Sequence, residues 1–430
     1  MREKSRNIFS ALAKVVTVGA LVVSMATIGN AQELTIIGHK VHERVSTGKA
    51  GGDFAGEWAA AKNTKINWLT FNVQAVHERL FREASLGSTT IDVGFAANRY
   101  YKPQFPEMFQ ALDDYLASAP IKDFDELPKG MLGALTYGGK LYGIPFRHAT
   151  AALHVNTAIL KEKGVAVPKT FEELLSAARK LTFTRSNGTK VHGLLLDYRS
   201  PAILTDFARA MNNGDFLTPD FELKANSPDM IGAVEEVVKL FKEGVLPEAF
   251  LNFKTEDVIT YMQQERAAMA ISPFGRYRNF NDAKKSKAAG KIISIAVPKS
   301  EKLEGFNVAP IRTEFWAMLI PKNSDNKDLA WDYIRNSVSP ENTIRAAVNG
   351  NGPIRPSAYA DQRVKDLVPY ASDEQAALSV ARPPLPGFTN SARVEDIFIE
   401  EVESALLGLK TTREALDSVQ ARSLPLLPSK

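Results

Sequence analysis

Short apolar runs of strand length alternate with helical patterns along most of the chain. Between the runs, apolar residues recur three and four positions apart, which is the period of a helix that buries one face. The runs resemble buried strands and lie at 34–37, 65–69, 91–95, 151–155, 193–196, 267–271, 292–297 and 315–320. Strands that alternate with helices predict an α/β fold, in which mostly parallel sheets are flanked by helices.

Two of the predicted helices carry recognisable end signals. Ser227 precedes the helical pattern of 231–241, and Gly244 follows it. Thr170 and Glu173 form a capping box, because a hydroxyl and a carboxylate at this spacing each accept a free amide of the first turn. These signals predict where the two helices begin and where one of them ends.

Asn187, Gly188 and Thr189 match a glycosylation sequon. Asn-Gly between two apolar strand-like runs is also a strong signal for a tight turn. We therefore interpret this site as a turn between two strands.

The N-terminus has the order of a secretory signal peptide. Basic residues up to Lys14 precede an apolar run, and small residues end at Ala31. The run is shorter than the roughly 20 residues that span a bilayer. We expect residues 1–31 to be removed. Because the chain contains no cysteine, no lipidated cysteine can follow the cleavage point, and a periplasmic protein is expected.

Charge and length narrow the class of protein further. The whole chain has a net charge of +4, and removing the leader leaves 49 basic and 48 acidic residues. A nearly neutral chain without a basic run argues against a nucleic-acid partner. The remaining 399 residues exceed what one hydrophobic core usually serves, so two lobes are expected.

Sequence motifs for catalysis and for a metal site are weak. No G-x-S-x-G or H-E-x-x-H motif occurs, and Gly48-Lys49 has the wrong order for a phosphate-binding loop. His39 and His42, with Glu43 or His77, could approach a metal ion, but imidazole pairs without further clustered ligands are usually hydrogen-bonding residues. We predict no catalytic residue, no metal and no cofactor.

Several stretches occur in an order that resembles the bacterial extracellular solute-binding protein family 1, which includes the maltose-binding proteins. They span nearly all of the expected mature chain and lie at 92–93, 137–146, 152–156, 167–174, 268–275 and 330–334. Two positions depart from the family pattern, which often has Tyr-Asn at Val155-Asn156 and Gly-Pro-Trp at 272–274. The second departure puts Phe274 where the family has a stacking tryptophan.

The resemblance implies two α/β lobes that enclose a ligand and a closed form that membrane permease subunits recognise. By that analogy one lobe comprises 32–147 and 299–337, and the other comprises 152–295 and 338–430. The chain is expected to cross between lobes near 147–151, 295–298 and 338. Such lobes close by a hinge motion that ligand binding stabilises.

Candidate ligand contacts follow from where strands end, because ligands bind beyond the carboxyl ends of the strands in open sheets. Polar side chains at these places, at the expected hinge and in the loop 349–355 can bind hydroxyl groups, and two aromatic rings can cover the apolar face of a sugar. The candidates are His39, His42, Glu43, Asn72, Gln74, Asn98, Arg99, Arg147, Phe274, Arg276, Trp316, Asn351 and Arg355. Trp316 has an equal alternative, since its strand can direct it into the core.

Arg147, Arg276 and Arg355 raise a question about the ligand's charge. Guanidinium groups bind carboxylate, sulfonate or phosphate bidentately, so an anionic ligand such as a sugar acid is one hypothesis. The alternative is that these arginines are solvated or pair with acidic residues.

The sequence thus predicts a monomeric periplasmic binding protein that delivers a carbohydrate or its derivative to an ABC permease. A receptor for another polar ligand, such as an opine or a polyol, stays open. A secreted glycoside hydrolase is the rival from another class, with Asp92, Glu314 and Asp197 as possible acids, but no pair facing one cleft is evident. An interaction protein without a small ligand is the third class.

Overall fold

The computed structural model describes residues 32–196, 201–382 and 388–428. The strands within these ranges are β1 (Gln32–His39), β2 (Thr64–Phe71), β3 (Val93–Ala97), β4 (Thr136–Tyr137), β5 (Lys140–Leu141), β6 (Ile144–Asn156), β7 (Phe183–Thr184), β8 (Lys190–Leu196), β9 (Ala267–Pro273), β10 (Ile292–Ile295) and β11 (Thr313–Leu319). Each of the eight predicted apolar runs overlaps one of these strands.

Helices cover the sheet and complete the second half of the chain. They are α1 (Lys40–Ser46), α2 (Phe54–Ala61), α3 (Val73–Ala84), α4 (Phe105–Met108), α5 (Asp113–Ser118), α6 (Lys129–Gly133), α7 (Thr157–Glu162), α8 (Phe171–Lys180), α9 (Pro201–Asn212), α10 (Pro228–Lys242), α11 (Thr255–Gln263), α12 (Tyr277–Phe280), α13 (Lys327–Ser337), α14 (Pro340–Val348), α15 (Gln362–Leu367), α16 (Ala371–Val380), α17 (Ser391–Leu406) and α18 (Thr412–Ser423).

The predicted ends of α10 and the predicted turn are confirmed, and the capping box predicted for α8 is confirmed in part. Ser227 accepts a hydrogen bond from the third residue of α10, and Gly244 follows that helix with a φ of +71°. At α8 the Thr170 hydroxyl accepts the Glu173 amide, but the Glu173 carboxylate accepts the amide of Lys169, one residue before the expected one. β7 and β8 form the antiparallel hairpin that the Asn-Gly signal predicted.

Nine of the strands form one continuous mixed sheet in the order β2-β1-β3-β11-β6-β9-β8-β7, with β10 also paired to β6, and β4 and β5 form a separate antiparallel pair. The α/β expectation is therefore confirmed, but the sheet is not mostly parallel. β1 pairs in parallel with β2 and β3, and β8 pairs in parallel with β9. β11, β6 and β10 run antiparallel to the strands beside them. The chain returns through the middle of the sheet twice, as β6 after the strands β1 to β3 and as β11 after the strands β8 to β10.

Strand β6 belongs to two hydrophobic cores. Residues 144–150 of β6 pair with β11, whereas residues 151–156 pair with β9 and β10. The first core gathers buried apolar side chains mainly from 34–146 and 315–378. The second gathers them mainly from 151–251 and 388–419. One strand thus joins two lobes.

The later part of the chain is divided between the cores at a different place from the one expected at Val338. Buried residues from Val338 to Leu378 pack in the first core, and those from Phe388 onward pack in the second. Between these two groups, Arg382 forms a parallel bridge with Arg312, the residue before β11. There the amide of Thr313 donates to the Arg382 carbonyl at 2.8 Å. The lobe limits stay a prediction, and this distribution favours a crossing after α16.

The expected signal peptide, 1–31, lies outside the described residues. Within the part of the chain that the structure describes, no helix is both long enough and apolar enough to cross a membrane.

Two glycines provide a matched test of this packing. Gly193 of β8 lies under α8, and a Cβ added there would be 1.7 Å from the carbonyl oxygen of Ala178. Gly232 in α10 has no heavy atom within 4 Å of its added Cβ. We expect Gly193→Ala to lower the free energy of unfolding by about 2 kcal/mol or more. Gly232→Ala should raise it by up to about 1 kcal/mol, because alanine favours helix. Urea denaturation measures both, and equal effects would contradict the close approach of α8 to β8.

Candidate ligand-binding cleft

Strands β6 and β11 place a group of polar side chains on one face of the sheet where the two cores meet. In the antiparallel register, Arg147 lies opposite Trp316, and Ala149 lies opposite Glu314. Opposed residues of antiparallel strands project to the same face. Arg147, Ala149, Arg312 and Glu314 are partly exposed, while the residues between them are buried. This alternation identifies an accessible face at the junction of the lobes.

Trp316 and His42 form an aromatic wall beside Arg147. The His42 ring stacks on Phe95 with centroids 4.1 Å apart, and it meets the Trp316 ring edge-on at 4.7 Å. Trp316 is buried, and so is His42. The wall is therefore largely part of the first core, and any face that Trp316 offers to a ligand is small.

His42 nevertheless retains a polar atom that no described residue satisfies. Its Nδ1 accepts the backbone amide of His39 at 3.1 Å, so the neutral ring carries its proton on Nε2. Nε2 is buried and has no hydrogen-bond partner among the described residues. Burial holds the pKa of His42 well below its usual range, and Arg147 lowers it further. His42 is a neutral donor at the edge of the cleft.

Arg147 is the most unusual charge on this face. Its Nε is buried and has no hydrogen-bond partner in the described chain. Burial lowers the pKa of Arg147 to about 10; Glu314 opposes this shift, whereas Arg44 and Arg276 add to it. A guanidinium in such a place stays charged at neutral pH, and its Nε donor is not used by the described residues.

Three further arginines approach this position from two distant segments of the chain. Arg276 ends a short 3-10 turn after β9, and Arg278 follows in α12, while Arg44 lies on α1. A Cβ added to Gly350 would lie 2.3 Å from Nη1 of Arg278 and 3.3 Å from Nη1 of Arg44. Gly350, with a φ of +99°, thus leaves the space in which these guanidinium groups meet.

A cavity of about 590 Å³ opens between the lobes on the same face. Its lining includes Arg99, Tyr100 and Glu314 from the first lobe, and Phe216 and Glu395 from the second. Arg99 pairs with Glu314 at 3.2 Å and lies over the Tyr100 ring. Glu314 also interacts with Arg147, so the cavity and the arginine group share this carboxylate.

Beneath Arg147 lies a buried network of titratable groups. His148 Nε2 is 2.7 Å from the Tyr359 hydroxyl and 4.0 Å from a carboxylate oxygen of Glu374. On the other side, the Thr150 hydroxyl contacts His148 Nδ1 at 2.9 Å and donates to the Thr313 hydroxyl at 2.8 Å. Burial raises the pKa of Glu374 to about 8 and lowers the pKa of His148 to about 3. Both groups are therefore mostly neutral at pH 7.

Several predicted contacts in the first lobe have structural roles. His39 caps α1 through its ring nitrogen, and Asn72 caps α3 by accepting the Ala75 amide at 2.9 Å. Gln74 donates to Glu78 on the surface, and the buried Asn98 side chain accepts the Phe315 amide at 3.0 Å. Glu43 is half-buried in α1, next to His42. Of this set, His39, His42 and Arg99 lie beside the arginine group or the cavity.

The predicted contacts from the later chain divide in the same way. Phe274 is fully buried and stacks against Tyr370, with centroids 5.3 Å apart. The Asn351 amide donates to the Phe146 carbonyl at 2.9 Å, which leaves its buried oxygen without a partner among the described residues. Phe274 therefore serves as core, while Asn351 holds the loop after α14 against β6.

The expectation that Arg147, Arg276 and Arg355 all face the ligand is wrong for Arg355. It is completely buried, and its guanidinium donates to the backbone carbonyls of Val338, Lys122 and Asp123. These bonds tie the loop 122–126 to the segment after α13. Arg355 is thus committed to the first core, and Arg44 and Arg278, which the sequence analysis did not select, lie beside Arg147 and Arg276.

Of the acids considered for a hydrolase, the two that the structure describes have other partners. Asp92 is buried and accepts hydrogen bonds from the Thr35 amide and the Ser324 hydroxyl. Glu314 is paired with Arg99. Asp197 lies outside the described residues. Asp92 is a structural carboxylate, which removes one of the candidate acids.

The sequence-family model for bacterial extracellular solute-binding proteins matches residues 54–372, which is most of the chain. This chain belongs to that family. A probable amino-acid ABC transporter periplasmic-binding protein, y4oP of Sinorhizobium fredii, is 23% identical over 90% of this chain and 89% of its own length. The sn-glycerol-3-phosphate-binding periplasmic protein UgpB of Shigella dysenteriae is 25% identical over 67% of this chain and 68% of its own.

The fold is shared with solved structures of solute-binding proteins. The maltose-bound MalE3 protein of T. maritima superposes with a TM-score of 0.74 at 20% identity, covering 92% of this chain and all of that one. The family resemblance and the two-lobed α/β expectation are thereby confirmed.

The raised pKa of Glu374 predicts a defined pH dependence of stability. A carboxyl whose folded pKa lies above its unfolded value contributes stability that is complete below the unfolded pKa, near 4.5, and is lost as the pH rises to about 8. Glu374→Gln stays neutral throughout. We therefore expect its free energy of unfolding, relative to the original protein, to rise from pH 5 to pH 8 by at most about 1.4 kcal/mol per pH unit.

Chemical denaturation at pH 5, 6.5 and 8 measures this difference. Titration of His148 is common to both proteins and cancels. Glu414→Gln is the control, because hydrogen bonds from Thr411 lower the pKa of Glu414, so its linkage lies below the tested range. A Glu374→Gln effect that is constant with pH would contradict a neutral buried carboxyl.

Proposed function

We propose that this protein is the periplasmic solute-binding component of an ABC importer and captures a carbohydrate or carbohydrate derivative between its lobes. The cavity of about 590 Å³ lined by both lobes carries the proposal. Its volume lies within the range of about 300 to 1,000 Å³ that is typical of small-molecule sites. Removal of 1–31 on export, a monomeric state and delivery to permease subunits complete the proposed function.

The composition of the cleft supports a polar ligand. Arginine and carboxylate side chains line it together with aromatic rings such as Tyr100 and Phe216. Guanidinium and carboxylate groups bind hydroxyls in place of water, and the rings cover apolar faces of the ligand. The relatives bind maltose, sn-glycerol 3-phosphate and an amino acid according to their names, which supports a small polar solute without selecting one class.

Capture without chemistry is the proposed mechanism. A hydrolase needs two acids around one bond, and the buried Asp92 is already used by Thr35 and Ser324. Ligand binding between the lobes instead favours the closed arrangement by the difference in affinity for the closed and open forms. We place the hinge in β6 near 147–151, with adjacent crossings near 295–312 and after α16.

The test is compaction on binding. We expect residues 32–430, refolded to remove carried-over ligand, to show a smaller radius of gyration by solution scattering when a true ligand is added. The same ligand should raise the free energy of unfolding by about 2.7 kcal/mol at a hundredfold excess over Kd. The probes are maltose, glucose, mannitol, gluconate, sn-glycerol 3-phosphate and glutamate.

Two outcomes would contradict the proposed function. One is a protein that neither compacts nor gains stability with any of these probes. The other is release of product from an oligosaccharide on long incubation, which would support the hydrolase class.

A further inference from the structure

Four arginines from separate segments converge where the lobes meet. Arg147 belongs to the shared strand β6, Arg44 to α1, and Arg276 and Arg278 to the segment after β9. Arg44 and Arg276 act electrostatically on Arg147, and Arg278 acts on Arg44. These interactions, with the approach of Arg44 and Arg278 at Gly350, place all four around one space.

Hydrogen bonds within the protein use little of this group. Arg44 donates to the Asn349 carbonyl at 2.9 Å. Arg276 and Arg278 have no hydrogen bond or ion pair within the described part of the chain, and the buried Nε of Arg147 has none either. Arg44 and Arg278 are exposed, while Arg147 and Arg276 are only partly exposed; the partly exposed Arg382, by contrast, is paired with Asp215. The four arginines therefore present donors to the cleft.

Neighbouring carboxylates offset only part of this charge. Glu314 forms its ion pair with Arg99, although it also acts electrostatically on Arg147. Glu374 is buried against Tyr359, and its pKa is raised to about 8, so it carries little negative charge at pH 7. Like charges brought together in a partly desolvated place repel one another. A negative group from outside the chain would offset this repulsion and favour a closed cleft.

We propose that Arg44, Arg147, Arg276 and Arg278 bind the anionic group of a small polyhydroxylated ligand, such as the carboxylate of a sugar acid or a polyol phosphate. This inference rests on the proposed function and adds the class of ligand. Because one of the four arginines comes from α1, one from β6 and two from the segment after β9, an anion at this point converts repulsion between these segments into attraction. The anion thereby favours the closed form, while the cavity beside Glu314 holds the hydroxylated part.

Pairs of ligands that have similar shapes but differ in charge show whether the charge of the ligand determines its affinity. Titration calorimetry of refolded residues 32–430 compares glucose with gluconate and glucuronate, and glycerol with sn-glycerol 3-phosphate, with inorganic phosphate as the anion alone. We expect an anionic member to bind at least 100-fold more tightly than its neutral partner, since charge-assisted hydrogen bonds are the stronger kind. The carboxylate and phosphate pairs show which anion is preferred. Affinity should fall severalfold between 20 and 300 mM salt.

Substitutions test whether these arginines bind the anion. Arg147→Gln and Arg276→Gln should each weaken binding of the preferred anion by about 10-fold or more. Arg147→Lys should recover part of the loss, because it restores the charge without the planar fork. The control is Arg363→Gln, an exposed arginine paired with Glu341 and Asp361 away from the cleft, which should bind as the original protein does. Thermal unfolding of each variant verifies that it is folded.

The outcomes distinguish this inference from the proposed function. Binding of a neutral sugar or polyol as tightly as its acid, unaltered in Arg147→Gln and Arg276→Gln, would overturn the anion site and leave the proposed function standing. Absence of binding and compaction with every probe would overturn both. Selective, salt-sensitive binding of an anion that both Gln variants weaken supports the site.

Discussion

The shared strand β6 is the constraint on which the rest of the structure depends. Its first half pairs with β11 and its second half with β9 and β10, so the backbone hydrogen bonds of one strand stabilise both lobes. Neither half of β6 can separate from its lobe unless its backbone hydrogen bonds to the neighbouring strands break. Relative motion of the lobes must therefore arise from twisting about β6 and its neighbours, and side chains near its middle lie between the lobes in any arrangement.

Ion pairs anchor the neighbouring crossings to the second lobe. Asp206 of α9 accepts the backbone amide of Arg312 at 2.8 Å and also pairs with the Arg312 side chain. Asp215 pairs with both Arg209 and Arg382 at 2.7 Å. These contacts hold the entry to β11 and the chain after α16 side by side. Partly buried pairs such as these mainly specify geometry, since desolvation offsets much of their attraction.

The electrostatics of the junction follow from where burial removes charge. His148 and Glu374 are neutralised by opposite pKa shifts with the same cause, desolvation. Arginine cannot respond in this way, because even a lowered pKa leaves it protonated at neutral pH. The junction therefore retains positive charge on Arg147 and its neighbours while the buried acid beside it is neutral. This asymmetry distinguishes the cleft from the evenly charged surface that the overall composition suggests.

The sequence by itself determined the local elements of this protein and its family. The eight strand runs, the ends of α10 and the Asn-Gly hairpin were predictable, because periodicity and capping depend on residues within a few positions of one another. The roles of individual polar side chains were decided by tertiary structure. Arg355 is a core residue because its guanidinium donates to carbonyls of the distant loop 122–126. Asn72 caps the helix that follows it by accepting the Ala75 amide. Arg44 and Arg278 are more than 200 positions apart, and only the packing of both lobes around β6 and Gly350 brings them together.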